Sequence, residues 1–403
     1  ENGRIDTSDK FKDVAYWVSD YIPNNEYQRD NKPLNLSAGS DIYEKNYWYN
    51  AVIALQKELN VPIAYHVYNW HHIPFNIEYP HYLPAKDGFK EGLAELKKHE
   101  IYVFPYINSV SWEMYDAEGG YETNFENTGK NGAIIDFDGE VNIAHYPQTT
   151  RSGKTSRLAP MCPTFPKWHK IIGDVVENME KDYDIDGVYF DEIAAHTPKP
   201  CFNKEHKHLP GGGNYWVEGY NLMMEKINAK KPKDHFYFTE GNAEAYIKDF
   251  DGFLCWVWLH NNDVPAFPAI YAGYVEMVGR LFGGKKKEDY DFFKYTLVKS
   301  FLYGQQLGWG KADLIYDGKR LNYLKNIVQF RNKFNKFFHS SHLLRPPVIT
   351  CDKAPKVIPP AIWYTEDIEM EQVLCGAWKE RAGKRIVIFV FNISEQDCCF
   401  KLT

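Results

Sequence analysis

Residues 187–191 read Gly-Val-Tyr-Phe-Asp, and residues 236–240 read Phe-Tyr-Phe-Thr-Glu, so two largely apolar runs each end on a carboxylic acid. Each run follows a segment with helical spacing of apolar residues, at 168–181 and 215–228. Near-continuous apolar runs that alternate with helices are typical of parallel strands buried on both faces of a sheet. The two units therefore predict an α/β fold.

The same alternation extends in both directions along the chain. Further strands are predicted at 63–68, 101–106, 252–256, 269–274 and 305–310, and further helices at 47–59, 88–99 and 321–338. The number of units favours a (β/α)8 TIM barrel over an open sheet, because no glycine-rich dinucleotide turn follows the first strand. The first barrel strand is not apparent in the sequence, so we expect it to be short, atypical or absent.

A proline cluster interrupts the pattern after the last predicted helix, between Pro346 and Pro360. Residues 362–403 then alternate as β-strands do. These features predict a catalytic (β/α)8 barrel at 1–345 and a small C-terminal all-β domain at 346–403.

Composition narrows the class of partner. The chain has 403 residues and a net charge of −7, which argues against a nucleic-acid partner because phosphate binding needs an excess of Lys and Arg. The longest clean apolar run, 386–391, is far shorter than a bilayer span, so no membrane span is expected. Aromatic residues make up 16% of the chain, and 29 Tyr and 11 Trp suit wet clefts because their rings carry polar tips.

The carboxyl ends of barrel strands form the mouth where functional residues gather. Acids, amides, His and aromatic rings converge there, a combination that suits the apolar faces and hydroxyl groups of a sugar. The candidate site residues are Tyr68, Trp70, His71, Tyr106, Asn108, Asp191, Glu192, Glu240, Asn242, Trp256, Trp258, His260 and Asp263.

Asp191 and Glu240 are the predicted catalytic pair. An Asp after a strand can simply cap the next helix, but Glu240 ends the following strand in the same way. Two carboxylates on adjacent strand ends would face each other, as glycoside hydrolysis requires. Glu192 is expected to point to the opposite face and to make a salt bridge or a secondary substrate contact.

These motifs resemble the fourth and fifth strands of the retaining α-glycosidase barrels, the α-amylase and endo-α-N-acetylgalactosaminidase type. The resemblance rests on Asp186-Gly187-Val188-Tyr189-Phe190-Asp191 and Phe238-Thr239-Glu240-Gly241. It implies that Asp191 is the nucleophile and Glu240 the acid/base. The sequence departs from the amylase pattern because Tyr189 stands where an Arg is expected, and because no clear late-strand His-Asp pair follows.

Other functions remain open at this point. A chitinase-like barrel would need a Glu where Ile193 stands, which disfavours that mechanism. A β-glycosidase could use Glu192 with a second Glu after strand seven, for which Glu276 is a weak candidate. A non-catalytic carbohydrate-binding barrel would also keep the aromatic residues.

Two loops are expected near the mouth. The insertion at 111–160 should line one side of it, and its candidate side chains are Trp112, Tyr115, Tyr121, His145, Tyr146, Arg151 and Arg157. The second loop carries Cys201, His206 and His208, but their spacing matches no established zinc pattern, and Lys204 and Lys207 lie among them. We therefore expect a substrate-contacting lid there, with no metal and no cofactor.

The sequence thus predicts a retaining glycoside hydrolase that cleaves an α-linked oligosaccharide or polysaccharide. The seven cysteines are scattered and odd in number, so at most a few disulfides are expected. The chain begins Glu1-Asn2-Gly3 without an initiator Met, which indicates a processed or truncated product. With a glycan substrate, this favours a secreted protein in an extracellular or periplasmic location.

Overall fold

The computed structural model describes residues 9–20, 49–68, 70–73, 75–114, 123–150, 153–255, 264–279, 290–358 and 367–403. The strands are β1 (Tyr16–Ser19), β2 (Ile63–Val67), β3 (Ile101–Asn108), β4 (Ser111–Glu113), β5 (Ala144–Thr149), β6 (Thr155–Pro160), β7 (Gly187–Asp191), β8 (Phe236–Glu240), β9 (Gly252–Cys255), β10 (Glu276–Gly279), β11 (Leu307–Gly310), β12 (Ser341–Leu344), β13 (Ile349–Cys351), β14 (Lys356–Ile358), β15 (Ile368–Met370), β16 (Val373–Glu380), β17 (Ile386–Asn392) and β18 (Phe400–Leu402). The helices are α1 (Asp9–Lys12), α2 (Asn50–Leu59), α3 (Phe89–Lys97), α4 (Pro166–Asp182), α5 (Tyr215–Asn228), α6 (Ala266–Tyr271), α7 (Tyr290–Leu302), α8 (Gly318–Lys333) and α9 (Asn335–His339).

Within the described ranges, eight strands form one sheet in the order β10-β9-β8-β7-β3-β2-β1-β11. Parallel pairing joins β1 to β11, β3 to β7, β7 to β8 and β9 to β10. The two end strands also meet, because the Gln306 N–H donates to the Met277 carbonyl at 2.7 Å and the Gly279 N–H donates to the Gln306 carbonyl at 2.9 Å. The predicted (β/α)8 barrel is therefore confirmed.

Helix α4 shows why these segments fold as the sequence predicts. It begins at Pro166, whose missing N–H costs nothing in a first helical turn. Its buried residues Trp168, Ile172, Val176 and Met179 recur at spacings of four, four and three, so they lie on one face. Burial of that apolar face positions the helix against the sheet.

One strand prediction was wrong. Residues 269–274 were expected to form a late barrel strand, but helix α6 covers Ala266–Tyr271 and the strand β10 starts only at Glu276. Pro265 and Pro268 explain the difference, because proline fits a first helical turn but cannot donate to a strand ladder. The elusive first strand is β1, which is short at four residues and pairs with β11.

The insertion between β3 and α4 is a small antiparallel sheet in the order β4-β6-β5. Ser111 pairs with Pro160 and Glu113 with Leu158, so the two ends of the insertion lie side by side. The described part of the insertion is thus built on paired strands.

The chain divides into two compact units, one taking in 1–19, 51–65 and 251–403, the other 20–50 and 66–250. In the first unit, the ring of Phe301 contacts Phe389 at a centroid distance of 5.0 Å, and the Trp378 Nε1–H donates to the Leu302 carbonyl at 2.9 Å. Strands β16 and β17 thus pack on helix α7. A separate C-terminal domain beginning at 346 stays a prediction.

Gln306 is the hydrogen-bonding centre of the first unit. Its Oε1 accepts from the Trp17 Nε1–H at 2.6 Å, and its Nε2 donates to the Phe11 carbonyl at 2.7 Å and to Glu276 at 3.2 Å. Its side chain is buried, so these bonds satisfy polar atoms that would otherwise be costly to bury. Gln306 thereby fixes β1 and β10 beside β11.

None of the helices in the described ranges is both long and apolar enough to cross a bilayer.

Candidate functional site

Asp191 and Glu240 are the last residues of two neighbouring strands, β7 and β8. The parallel register pairs Tyr189 with Phe238 and Phe190 with Thr239, so the two acids stand at the next step of both strands. Side chains alternate along a strand, and Tyr189 and Phe238 lie on one face with their ring centroids 4.7 Å apart. Asp191 and Glu240 follow on that same face.

A glycine after β8 lets the two strand ends approach. Gly241 has φ of +73°, and a Cβ at this position would lie 3.2 Å from the Ala194 carbonyl oxygen and from Ala195. Any larger residue would combine a strained backbone with a tight contact to the segment after β7. Gly241 therefore sets Glu240 close to the segment that carries Asp191 and Glu192.

The pKa of Asp191 reflects its burial and its acidic neighbours. Burial raises the pKa of Asp191 well above its ordinary value, and the charges of Glu240 and Glu192 raise it further. A hydrogen bond with the Tyr106 hydroxyl acts in the opposite direction, because such a bond favours the ionised carboxylate. Asp191 consequently keeps its proton to higher pH than an isolated carboxyl group would.

A chain of hydroxyl groups leads to Asp191. The Tyr79 hydroxyl accepts from the Asn76 backbone N–H at 2.8 Å and donates to the Tyr106 hydroxyl at 3.3 Å. The Tyr106 hydroxyl in turn contacts Asp191. Both rings are fully buried, so this row of hydroxyl groups holds the Asp191 carboxylate in position.

Glu192 is a third acid in the same place. Its φ is +69°, so the regular strand geometry ends before Glu192. The alternation of side chains between the two faces of the sheet therefore does not turn Glu192 away from Asp191. Its carboxylate accepts a hydrogen bond from the Tyr146 hydroxyl at 2.6 Å, and the Ser111 hydroxyl lies 3.5 Å away. Glu192 thus connects the strand end to the insertion.

Tyr146 brings the insertion to the three acids. Burial raises the pKa of its phenol, and the charges of Glu192, Asp191 and Glu240 raise it further, in that order. One phenol therefore lies near all three acids. The sequence named Tyr146 only among seven insertion residues, since nothing local distinguishes it from its neighbours.

Four of the ring-bearing residues expected to contact sugar are described by the structure, and all four are buried. Tyr68, Trp70, His71 and Tyr106 are each 4% exposed or less. Tyr68 stacks on Tyr106 at 4.4 Å, and the Trp70 Nε1–H donates to the Tyr106 carbonyl at 2.7 Å. Their faces are occupied by one another, so they form a layer beneath the acids.

His71 belongs to the same buried layer. Its Nδ1 lies 2.5 Å from the Ile73 carbonyl. Burial lowers the pKa of its imidazole to about 3, so the ring is neutral at physiological pH. A neutral ring bonded to the backbone fits packing better than proton transfer.

Of the remaining predicted residues, the structure describes Asn108 and Asn242. Asn108 Oδ1 accepts from the Val110 and Ser111 N–H groups at 2.9 Å each, so it stabilises the turn after β3. Asn242 is half-buried two residues after Glu240. Trp256, Trp258, His260 and Asp263 lie outside the described residues.

Glu276, the partner required by a β-glycosidase reading, begins strand β10 instead of ending it. It is buried and accepts from Gln306 at the barrel closure. The carboxyl ends of the strands form a barrel mouth, so a residue at the amino end is poorly placed for chemistry there. This position disfavours a pairing of Glu192 with Glu276.

Sequence reasoning gave no site role to Tyr189, which lies two residues before Asp191 in β7, or to Tyr79, which reaches Asp191 only through Tyr106. Tyr189 had a usable signal, because a residue two positions before Asp191 shares its face of the strand. Tyr79 had none, since it reaches the site through Tyr106 from an irregular segment.

Two curated proteins resemble the chain in sequence. One, from Bacteroides thetaiotaomicron and named "Putative glycoside hydrolase", is 29% identical over 361 residues, which cover 86% of the chain and 50% of that protein. The other, "Putative glycoside hydrolase 22789" from Monosiga brevicollis, is 30% identical over 277 residues, which cover 64% of the chain and 23% of that protein. The chain spans half the length of the first relative and less of the second.

Solved structures of glycosidases share the fold. The α-N-acetylgalactosaminidase NagBb of Bifidobacterium bifidum superposes with a TM-score of 0.59 at 12% identity, covering 96% of this chain and 61% of that chain. The noncanonic maltogenic α-amylase AmyB of Thermotoga neapolitana gives 0.56 at 10% identity, with coverage of 95% and 86%. These likenesses confirm the resemblance to α-glycosidase barrels at the level of the fold.

The family assignment comes from the sequence itself. Residues 6–282, more than half of the chain, match a family described as a domain of unknown function, DUF6259. The matched range includes Asp191, Glu240, Glu192 and Tyr146. The chain therefore belongs to the DUF6259 family.

Proposed function

We propose that the chain is a retaining glycoside hydrolase that cleaves an α-linked glycan, with Asp191 as nucleophile and Glu240 as acid/base. The names of the curated relatives support glycoside hydrolysis, and the α-glycosidases among the structural neighbours support the α-linkage. The substrate would be an oligosaccharide or polysaccharide, met outside the cell or in the periplasm. The acidic net charge disfavours a nucleic-acid substrate.

The register of β7 and β8 carries the proposal. Neighbouring strands lie about 4.8 Å apart, and Asp191 and Glu240 occupy the same step on the same face. Retaining glycosidases hold their carboxyl groups about 5–5.5 Å apart, whereas inverting enzymes leave about 6.5–9.5 Å for a water molecule. Adjacent strand ends suit the shorter separation.

The reaction would run in two displacements. The Asp191 carboxylate attacks the anomeric carbon, and the glycosidic bond breaks as Glu240 gives its proton to the leaving oxygen. A covalent glycosyl ester and the free leaving alcohol result. Water then attacks the anomeric carbon, Glu240 takes its proton, and the bond to Asp191 breaks to release the sugar and restore both acids.

The division of roles is the one that the resemblance to retaining α-glycosidases implies: the Asp that ends β7 attacks, and the Glu that ends β8 carries the proton. The hydroxyl group of Tyr106, which hydrogen-bonds to Asp191, partly opposes the rise in the pKa of Asp191 that burial causes. Glu192, oriented by Tyr146, would accept hydrogen bonds from sugar hydroxyls beside the reacting carbon.

The test is a screen of aryl α- and β-glycosides, followed by NMR of the first product formed from the best substrate. We expect turnover of an α-glycoside with retention of the anomeric configuration, and a loss of about 10³-fold or more in kcat for Asp191→Asn. Asp182→Asn, at the exposed end of α4, is the matched control and should keep full activity. Inversion, or full activity of Asp191→Asn, would reject the mechanism, and inactivity of the parent chain on every glycan would favour a binding protein.

A further inference from the structure

Four side chains outside the acid cluster converge on one point. Cys162, Cys201, His206 and His208 each offer one ligand atom, and these four atoms lie within 4.8 Å of one another. Cys162 precedes α4, and the other three lie in the segment between β7 and α5. We propose that these residues form a structural zinc site, which is independent of the glycosidase proposal.

The spacing of the ligand atoms fits tetrahedral zinc. The Cys162 Sγ lies 3.4 Å from the His208 Nε2, and the Cys201 Sγ lies 3.5 Å from the His206 Nδ1. With Zn–S of about 2.3 Å and Zn–N of about 2.0–2.1 Å, a tetrahedral site puts sulfur and nitrogen about 3.5 Å apart. The two measured separations match that edge, and two thiolates with two imidazoles are a ligand set that zinc prefers.

Both imidazoles already make the second bond that a zinc-bound histidine needs. The His206 Nε2–H donates to the Asn131 carbonyl at 2.9 Å, which leaves the Nδ1 lone pair facing Cys201. The His208 Nδ1–H donates to the Leu209 carbonyl at 2.9 Å, which leaves the Nε2 facing Cys162. Such outer bonds to carbonyl groups fix the tautomer and the ring orientation of metal-bound histidines.

The surroundings favour a structural site over a catalytic one. Cys162, Cys201 and His206 are buried and His208 is partly exposed. Four protein ligands complete a tetrahedron, which leaves no position for water or substrate. The lysines that weakened a zinc interpretation of the sequence, Lys204 and Lys207, are both exposed and so point away from the cluster.

The site would anchor the segment that follows Asp191 and Glu192. His208 stacks on Tyr215, the first residue of α5, at 4.1 Å. The Phe202 N–H donates to the Ile135 carbonyl at 2.8 Å, so the same segment also reaches the insertion. One ion would therefore hold the approaches to α4 and α5 together beside the strand that ends at Asp191.

The test measures metal in the intact chain, purified without chelators, by elemental analysis and native mass spectrometry. We expect about one zinc per chain, and cobalt substitution should give the intense visible absorption of tetrahedral thiolate-bound cobalt. Removal of the zinc with a chelator should lower the Tm, and added zinc should restore it. These measurements need no variant and no glycan substrate.

Variants assign the ligands. Cys162→Ser and His208→Gln should each weaken zinc binding by about ten-fold or more, whereas Cys255→Ser and His196→Gln should retain the metal. Cys255 is a buried thiol in β9 remote in sequence, and His196 lies in the same segment as His208 but bonds to the Thr197 carbonyl. Zinc retained by Cys162→Ser would overturn the assignment.

Two other results would also reject the site. A folded parent chain that contains no zinc after dialysis against zinc would do so directly. The second result is a disulfide between Cys162 and Cys201. It would appear as two fewer free thiols in the unfolded chain before reduction than after it, together with a Cys162–Cys201 crosslinked peptide.

Discussion

Asp191 and Glu240 end adjacent parallel strands one residue beyond the paired Phe190 and Thr239, so the backbone register itself brings the two acids together. No flexible loop intervenes between either acid and its strand. Sites built on strands hold their side chains more precisely than sites built on loops. The predictions below follow from this arrangement and from the packing that supports it.

Replacement of Glu240 by Gln should affect substrates according to their leaving groups. Without a proton donor, hydrolysis of unactivated α-glycosides should fall by about 10²–10⁴-fold, and hydrolysis of aryl glycosides with acidic phenols should fall much less. The measurement is kcat/KM across a series of leaving groups. Glu244→Gln, an exposed change four residues later, is the control, and an equal loss on every leaving group would contradict the acid/base role.

Tyr146→Phe should reduce kcat/KM by about 10–100-fold, because a hydrogen bond to a charged group contributes about 1.5–3 kcal/mol. The bond in question joins the Tyr146 hydroxyl to Glu192 at 2.6 Å. A double-mutant cycle with Glu192→Gln should show strong non-additivity. Tyr183→Phe, which loses a bond to the Ala85 backbone, should leave kcat/KM unchanged; additive losses would show that Tyr146 and Glu192 act separately.

Glu113 in the insertion should make stability depend on pH. Burial raises the pKa of its carboxyl to about 8, although the hydrogen bond from the Glu78 N–H lowers it and the charge of Glu78 adds a smaller rise. Because the folded-state pKa is raised, the folded chain binds the extra proton between the ordinary value of 4.5 and about 8, so stability is full below that window and falls as pH rises through it.

Glu113→Gln should remove that slope. The variant should gain Tm relative to the parent as pH rises from 5 to 8, since the amide stays neutral and can still accept the Glu78 N–H. Thermal unfolding at several pH values measures the difference. Glu140→Gln, exposed in the same insertion, should follow the parent, and parallel curves for Glu113→Gln and the parent would refute the prediction.

Trp378→Ala should destabilise the unit that includes residues 251–403. The indole is fully buried against Phe338, so its truncation should cost about 3–5 kcal/mol. Phe400→Ala removes a ring that is 45% exposed and should cost far less. Chemical denaturation of both variants provides the comparison, and equal stability would show that the C-terminal strands support helix α7 only weakly.

The sequence predicted the barrel and the acid pair because both depend on local patterns. Apolar runs mark strands, and the residue after a run marks the mouth, so Asp191 and Glu240 could be identified without coordinates. Whether a ring at the mouth is buried or exposed depends on which side chains from other segments cover it. No local sequence pattern contains that information. For this reason Trp70 and His71 were expected to contact sugar but lie in a packed layer.

Contacts between distant segments were also invisible in the sequence. Tyr146 reaches Glu192 across 46 residues, and Cys162 reaches His208 across the same separation. Three of the four clustered ligands lie in one segment and match no zinc pattern by themselves. Only the fold supplies the fourth ligand.

The contacts of the buried residue Gln306 determine which strands can pair early in folding and which must wait. Trp17 donates to it across 289 positions of the chain, and the bond that joins β10 to β11 runs through the same residue. Contacts of such long sequence separation form late, because the entropy of closing a long loop must be overcome first. On the ribosome, one edge of β1 and one edge of β10 therefore stay unpaired until Gln306 and β11 emerge, and a chaperone that shields these edges should act before that moment.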